Sequence, residues 1–251
     1  MLLAGIPGLI LFVVLGALLS VLVSPLVGLP LAVVVGGTAW FATWRRATTS
    51  LLRAFHARPL DPREQPRVAN VVDHLCATMG LPLPSLYVVA DAPSNAVSLG
   101  RNPEEATLVV TSGLLQGFDP VQLEGVLAHE LTHIKRRDTA PSTVAAALLL
   151  PFAGVFGGIG DLVHRIAGRG LEFEVDRAAV GVTRYPPGLR KGLAAMAEDV
   201  GHHPDGLLAT SGGGRVTRWL WTVPLGAALG GDALIGELDA PAVRIAALDE
   251  H

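Results

Sequence analysis

The sequence is poor in cysteine and in charged residues, and each shortage excludes a class of protein. The single cysteine, Cys76, excludes an intramolecular disulfide, so the chain is not a disulfide-stabilised scaffold. Charged residues make up 16% of the chain, against about 25% in a typical soluble domain. The net charge of −3 creates no basic field for nucleic acid, so we expect no nucleic-acid partner.

Charge is missing altogether from residues 1–44, and the first charged residue is Arg45. This apolar stretch is about twice as long as one membrane-spanning helix requires. Prolines and glycines interrupt it near its middle, which predicts two helices, 2–22 and 27–44, joined by a tight turn. The stretch lacks the basic start and the short apolar core of a cleaved signal peptide. We therefore expect a transmembrane helical hairpin over residues 1–45.

The residues at the end of this stretch predict its orientation. Trp40 and Trp44 are typical of a membrane–water interface, and Arg45 and Arg46 follow them directly. Basic residues favour the cytoplasmic side of a membrane. We therefore expect a multi-pass protein of the plasma membrane in which the remaining residues, 46–251, form a domain that faces the cytoplasm.

The composition of this second part is that of an ordinary folded domain. Residues 86–90 and 106–111 have the β-branched pattern of short strands, and the segment 95–100 lies between them. Cys76 belongs to a set of apolar residues that recur at helical spacing, which predicts that its thiol is buried on a helix. Most of the other periodic segments are helical. The sequence predicts an α+β domain, mainly α, with a small β-sheet.

The motif with the clearest chemistry lies on a long helix. Asp119 begins that helix with a capping-box pattern, and His129-Glu130-Leu131-Thr132-His133 follows inside it. Four helical residues turn through about 400°, so both imidazoles project from one face and can bind one zinc ion. Glu130 lies about 100° away, near enough to act on a water that the metal activates.

A third metal ligand is expected downstream, on a helix that begins near residue 171. Glu172 and Asp176 lie one turn apart on one face of this helix, whereas Glu174 lies on another face. The longer side chain of Glu172 suits direct ligation, and Asp176 suits a supporting contact to a ligand histidine. Glu174 is expected to be solvated or paired with Arg177.

The order and spacing of these motifs resemble those of the HtpX-like membrane metalloproteases, which are related to the type I CAAX prenyl endopeptidases. The likeness rests on H-E-x-x-H at 129–133, followed by E-x-x-x-D-R-x-A from Glu172. Segments 95–100, 107–115 and 243–248 are also similar to the family's N-A-x-x-x-G, strand-then-TSGLL and R-I-x-x-L patterns. The N-terminal hairpin is shared as well.

The resemblance implies a zincin-like zinc endopeptidase with one Zn²⁺ per chain. It implies His129, His133 and Glu172 as ligands and Glu130 as the catalytic base. It also implies protein or peptide substrates, among membrane or misfolded proteins, that are cleaved on the cytoplasmic side of the bilayer. A prenyl-protein processing protease is an alternative within the same class, and the sequence does not indicate an oligomeric state.

The sequence departs from the family pattern in two places. The family's His-Pro pair before the final R-I is replaced by Leu-Asp-Ala-Pro at 238–241, and Leu171 stands where the family often has arginine. The segment 202–204, His-His-Pro, is either a substitute for that pair or a solvated loop. These departures leave open a catalytically silent membrane regulator that retains the protease fold.

Two further segments carry predictions about the substrate. An extended peptide is expected to add to an edge strand at 95–100 or 107–111, with Asn95 and Ala96 as substrate-binding residues. The segment 219–236 is expected to form a substrate-side loop or an interface rather than a membrane span.

A second apolar run covers residues 140–168. A single membrane crossing there would separate Glu172 from the two histidines, so the run must cross an even number of times or not at all. We expect it to form a buried or re-entrant hairpin within the domain.

Overall fold

The computed structural model describes residues 25–152, 171–225 and 240–249. The helices in these ranges are α1 (Pro25–Ala54), α2 (Pro66–Met79), α3 (Ser112–Gly117), α4 (Pro120–Arg136), α5 (Thr139–Leu149), α6 (Leu171–Thr183), α7 (Pro186–His202), α8 (Leu207–Thr210), α9 (Gly212–Thr217) and α10 (Pro241–Asp249). The strands are β1 (Arg58–Pro59), β2 (Ser85–Val89), β3 (Ala96–Leu99) and β4 (Thr107–Thr111), and 3₁₀ turns cover Pro103–Glu105, Leu150–Phe152 and Arg218–Leu220. The predicted α+β class, mainly α with a small sheet, is confirmed.

The four strands form one mixed sheet in the order β1-β2-β4-β3. β4 runs parallel to β2 and antiparallel to β3, and its Val109 lies opposite Tyr87 on one side and Val97 on the other. Both predicted strands are present to within one residue at their ends. The expectation that 107–111 forms an edge is wrong, because β4 has a neighbour on each side; of the two predicted segments, the one that contains β3 lies at an edge of the sheet.

Both faces of the sheet are covered by helices. Successive side chains of a strand point to opposite faces, and β4 follows this rule. Leu108 and Val110 enter a core shared with α2, α4 and α7, whereas Val109 enters a second core with α1 and α5.

α1 contains the predicted helix 27–44 and continues beyond it to Ala54. Its final turns carry the buried residues Ala47 and Leu51, which pack in the second core together with Phe55, the residue that follows the helix. The expected boundary between the membrane part and the domain, after residue 45, therefore falls inside one continuous helix. In the ranges given above, none of the helices has the length and hydropathy of a membrane span. The predicted first helix, 2–22, lies outside the described residues.

α4 begins where its sequence predicts. The side chain of Asp119 accepts hydrogen bonds from the backbone N–H groups of Val121 and Gln122, and Gln122 Oε1 accepts one from Asp119 N–H. This confirms the predicted capping box. The helix ends at Arg136, and Arg137 takes a left-handed conformation with φ 61°. That turn brings the following residue, Asp138, back toward the last turn of α4.

α4 lies at the centre of the helical layer, in contact with α2, α6 and α7. It approaches α7 closely because Gly125 faces the backbone of that helix. A Cβ atom at Gly125 would lie 2.4 Å from the backbone nitrogen of Leu189. Because α7 covers this face of α4, α6 packs against another face, and that face carries His129 and His133.

The apolar run 140–168 is described only as far as residue 152. Its first part is α5, whose Val144, Ala146 and Ala147 are buried in the second core beside α1. Residues 153–168 lie outside the described residues.

Candidate metal centre

Three potential metal ligands from two helices converge at one point. His129 and His133 project from α4, and Glu172 projects from the first turn of α6. The two Nε2 atoms of the histidines are 3.2 Å apart. The Glu172 carboxylate lies 3.3 Å from His129 Nε2 and 3.5 Å from His133 Nε2. Among the described residues, these three form the group of His, Cys, Asp and Glu side chains whose ligand atoms lie close enough to hold a metal ion.

The spacing of these atoms fits a small tetrahedral ion. Ligand atoms about 2.0–2.1 Å from a tetrahedral zinc lie about 3.4 Å from one another, and the three measured separations are 3.2, 3.3 and 3.5 Å. Two imidazole nitrogens and one carboxylate are also a common donor set for catalytic zinc. The residues present therefore fit the metal that the sequence predicts.

Each histidine is oriented by a second carboxylate on its other ring nitrogen. His129 Nδ1 lies 2.8 Å from Asp176 Oδ1, and His133 Nδ1 lies 2.9 Å from Asp138 Oδ1. A proton on Nδ1 that is donated to the carboxylate leaves the Nε2 lone pair free for a metal. Helical spacing predicts Asp176 for such a contact, whereas no pattern in the sequence indicates Asp138, which the left-handed turn at Arg137 returns to the site.

A buried arginine joins the C-terminal helix to the cluster. Arg244, on α10, is 1% exposed, and its Nε and one terminal nitrogen each lie 2.7 Å from the Asp176 carboxylate. A second terminal nitrogen lies 3.4 Å from Glu172 and donates to the carbonyl of Thr222 at 2.9 Å. The R-I pattern marked this residue in the sequence, but only the fold reveals its partners. Arg244 holds the Asp176 carboxylate in place by two charge-assisted hydrogen bonds and lies within ion-pair distance of Glu172.

The charges around the histidines shift their pKa values against the effect of burial. Burial alone would lower the pKa of His133, but the negative charge of Glu172 and the hydrogen bond to Asp138 hold that pKa well above its usual value. The pKa of His129 is also raised, because hydrogen bonds to Asp176 and Glu172 outweigh its burial. Burial alone would raise the pKa of Glu172, but the two histidines and Arg244 hold it well below its usual value.

Glu130 lies beside the cluster and lines a cavity. It is 2% exposed, and its Oε1 accepts a hydrogen bond of 2.5 Å from the hydroxyl of Thr222. The same cavity is lined by His133 and Glu172, by Ser98 of β3, and by the aromatic residue Trp219. The predicted catalytic carboxylate and two of the predicted ligands thus share one opening with the edge of the sheet.

The predicted substrate-binding residues Asn95 and Ala96 have a different place in the structure. Both are 0% exposed. The Asn95 amide donates to the carbonyl of Val223 and accepts from its N–H, and the Ala96 carbonyl accepts from the N–H of Thr222. Burial leaves neither side chain accessible to a peptide. These residues instead hold the segment 221–225 against the β3 edge.

Four other residues that stand out in the sequence lie away from the site. Glu174 is exposed and bonds to Arg136 at 2.8 Å rather than to Arg177. His202 and His203 are exposed at the end of α7 and are not among the residues that line the cavity. Cys76 is buried in α2 as predicted, and burial together with the charge of Asp73 raises the pKa of its thiol to about 11.

Comparison with known proteins agrees with this geometry. The model of peptidase family M48 matches residues 62–198. The chain is 31% identical over 219 residues to a protease HtpX homolog of Salinibacter ruber, covering 78% of each chain. It is 31% identical over 200 residues to a protease HtpX homolog of Acidiphilium cryptum, covering 68% of this chain and 70% of the relative. No solved structure matches the chain significantly.

A helix that carries H-E-x-x-H, faced by a carboxylate from a second helix, defines a metallopeptidase, a metal-dependent hydrolase of peptide bonds. The family match covers more than half of the chain and includes His129, Glu130, His133 and Glu172. The chain belongs to peptidase family M48, and within that family it is HtpX-like.

Proposed function

We propose that this protein is a membrane-anchored zinc endopeptidase that hydrolyses membrane or misfolded proteins at the cytoplasmic face of the membrane. The observation that carries the proposal is the convergence of His129, His133 and Glu172 beside the carboxylate of Glu130. In this proposal the three convergent side chains hold the metal, Asp176 and Asp138 orient the histidines, and Glu130 is the catalytic base.

Zinc, when bound, supplies Lewis acidity that activates water and polarises a peptide carbonyl. The protein supplies the proton transfer. Glu130 takes a proton from the attacking water and returns it to the nitrogen of the leaving amine. Its carboxylate suits this task because it is buried beside the cluster and also lines the cavity that a peptide would enter.

The β3 edge is a suitable place for the substrate backbone. The carbonyl of Asn95 faces β4, and that of Ala96 faces away, toward Thr222. Because these directions alternate along a strand, the Ser98 carbonyl also faces outward, on the side where Ser98 lines the cavity. An extended peptide that pairs with Ser98 would bind mainly through its main chain, so cleavage would show little sequence preference.

Apolar side chains of α1 support the membrane anchor. Leu31, Val34 and Phe41 are between 45% and 63% exposed, and Arg45 lies over the ring of Phe41. Exposed apolar residues on a helix that ends in tryptophans and arginines are typical of a segment at a bilayer. The lipid bilayer is therefore proposed as a partner, with the catalytic domain on the cytoplasmic side.

The metal site also constrains the topology of the intervening chain. His129 and Glu172 meet at 3.3 Å, so both must lie on the same side of any membrane. The segment between them then crosses the membrane an even number of times or not at all. A protease-protection assay with tags placed before His129 and after Glu172 tests this: both tags are expected on the same side, and opposite sides would refute the proposed topology.

Metal analysis and cleavage of casein by the purified protein test the proposed activity. The proposal predicts about one zinc per wild-type chain, zinc loss in His129→Ala, and casein cleavage by wild type alone. Equal zinc in both proteins would refute the metal site. Zinc in the wild type without cleavage of any protein substrate would instead favour the silent regulator.

A further inference from the structure

Thr222 lies in a segment without helix or strand, yet its backbone is held by two other elements. Its N–H donates to the Ala96 carbonyl at 3.0 Å, and its carbonyl accepts from Arg244 at 2.9 Å. The next residue, Val223, is held by both ends of the Asn95 side-chain amide. These bonds join β3 and α10 to Thr222, and the residue is 3% exposed. Its backbone is therefore fixed in position by contacts that do not involve its hydroxyl.

The hydroxyl of Thr222 points at the catalytic carboxylate. Its Oγ1 lies 2.5 Å from Glu130 Oε1 and 2.9 Å from the Ala96 carbonyl oxygen. The hydroxyl carries a single proton, and Glu130 is both the nearer and the charged one of its two acceptors, so the hydroxyl donates to Glu130. Hydrogen bonds from a hydroxyl to a carboxylate are among the stronger side-chain contacts.

This bond divides the two oxygens of Glu130 between two tasks. Oε1 is taken by Thr222, whereas in the described part of the chain no hydrogen bond engages Oε2. Glu130 also lines the cavity beside His133 and Glu172. Oε2 is thus the oxygen left for the attacking water.

We propose that Thr222 is a positioning residue that fixes the Glu130 carboxylate so that one oxygen faces the attacking water. This inference rests on the proposed role of Glu130 as catalytic base. Thr222 itself does not contact the metal or exchange a proton with the substrate. Its effect is on the orientation of the base, and therefore on the chemical step rather than on substrate binding.

Two substitutions separate the hydroxyl from the rest of the residue. Thr222→Val keeps the shape and both backbone bonds but removes the hydroxyl, whereas Thr222→Ser keeps the hydroxyl. Thr222→Val is expected to lower kcat for casein or a peptide substrate by about 10- to 100-fold, with KM and zinc content unchanged. Thr222→Ser is expected to stay within about threefold of wild type. Thr217→Val is the matched control, because Thr217 is equally buried but bonds only within its own helix.

Four results would overturn the inference: wild-type kcat in Thr222→Val, an equal loss in the Ser and Val variants, an equal loss in the Thr217→Val control, or loss of zinc or of the fold in Thr222→Val. The last would assign Thr222 a structural role. Failure of the proposed function has a different signature, because the wild-type protein would then bind zinc and cleave no substrate.

Discussion

The carboxylate of Asp138 lies 2.9 Å from Nδ1 of His133, although Asp138 lies beyond the end of the helix that carries the motif. The left-handed turn at Arg137 returns it to the last turn of α4. Both histidines thus have an acidic partner, one from α6 and one from the start of α5.

Removal of this partner should weaken the metal site without destroying it. Asp138→Ala is expected to lower zinc affinity by about 10- to 100-fold, the usual cost of losing a carboxylate that orients a ligand histidine. Competition with a chromophoric zinc chelator measures the change. Asp73→Ala, which removes an exposed carboxylate of α2, serves as control, and equal affinity in wild type and Asp138→Ala would contradict the role given to Asp138.

Two glutamates of α6 provide a direct test of the third ligand. Glu172 faces the histidines, whereas Glu174 is exposed and pairs with Arg136. Glu172→Gln should reduce zinc affinity by more than Asp138→Ala does, because it removes the charge of a ligand. It should also abolish hydrolysis. Glu174→Gln should retain both properties, since exposed ion pairs contribute little. Zinc retention in Glu172→Gln equal to that in Glu174→Gln would exclude Glu172 as a ligand.

Zinc affinity should depend steeply on pH. The carboxylates of the metal-free cluster raise the pKa of His129 and His133 above their ordinary value of 6.5, and zinc binds only neutral imidazole. Protons therefore compete with zinc as the pH falls through the raised pKa values, and affinity should begin to fall while the pH is still above 6.5. Zinc titrations between pH 6 and pH 9, with circular dichroism to verify the fold, measure this change in affinity. Constant affinity over that range would contradict a metal site formed by these histidines.

The close packing of α4 on α7 predicts a position that tolerates no side chain. A Cβ at Gly125 would lie 2.4 Å from the Leu189 nitrogen, whereas a Cβ at Gly181 would meet no atom within 4 Å. Gly125→Ala should therefore lower the free energy of unfolding by about 2–3 kcal/mol, and Gly181→Ala should raise it by about 0.5–1 kcal/mol. Thermal or urea unfolding of the two variants measures the difference, and similar stabilities would show that α7 can move away from α4.

The elements that depend on local pattern were predictable from the sequence. The capping box at Asp119, the helix that carries His129 and His133, and the strands at 86–90 and 106–111 all follow from neighbouring residues. The pairing of Glu172 with Asp176 on one face of α6 follows from helical spacing alone. These features required no knowledge of how the chain folds back on itself.

The contacts made by distant segments could not be predicted in the same way. Thr222 reaches Glu130 from 92 positions along the chain, and Arg244 reaches Asp176 from 68 positions. Asn95 was expected to bind substrate, but its side-chain amide instead donates to the carbonyl of Val223, 128 positions away. No periodic pattern in the sequence predicts such pairs, because they depend on the order of the strands in the sheet and on the path of the segment after α9.

The central claim is that Glu130 acts as base beside a metal held by its neighbours, and the Glu130→Gln variant tests it most directly. Glutamine keeps the shape of the side chain and can accept the Thr222 hydrogen bond, but it cannot take a proton from water. Zinc content and casein cleavage are measured separately on wild-type and variant proteins that are purified in the same way. The account predicts equal zinc in both and hydrolysis by the wild type only; cleavage by Glu130→Gln at the wild-type rate would contradict it.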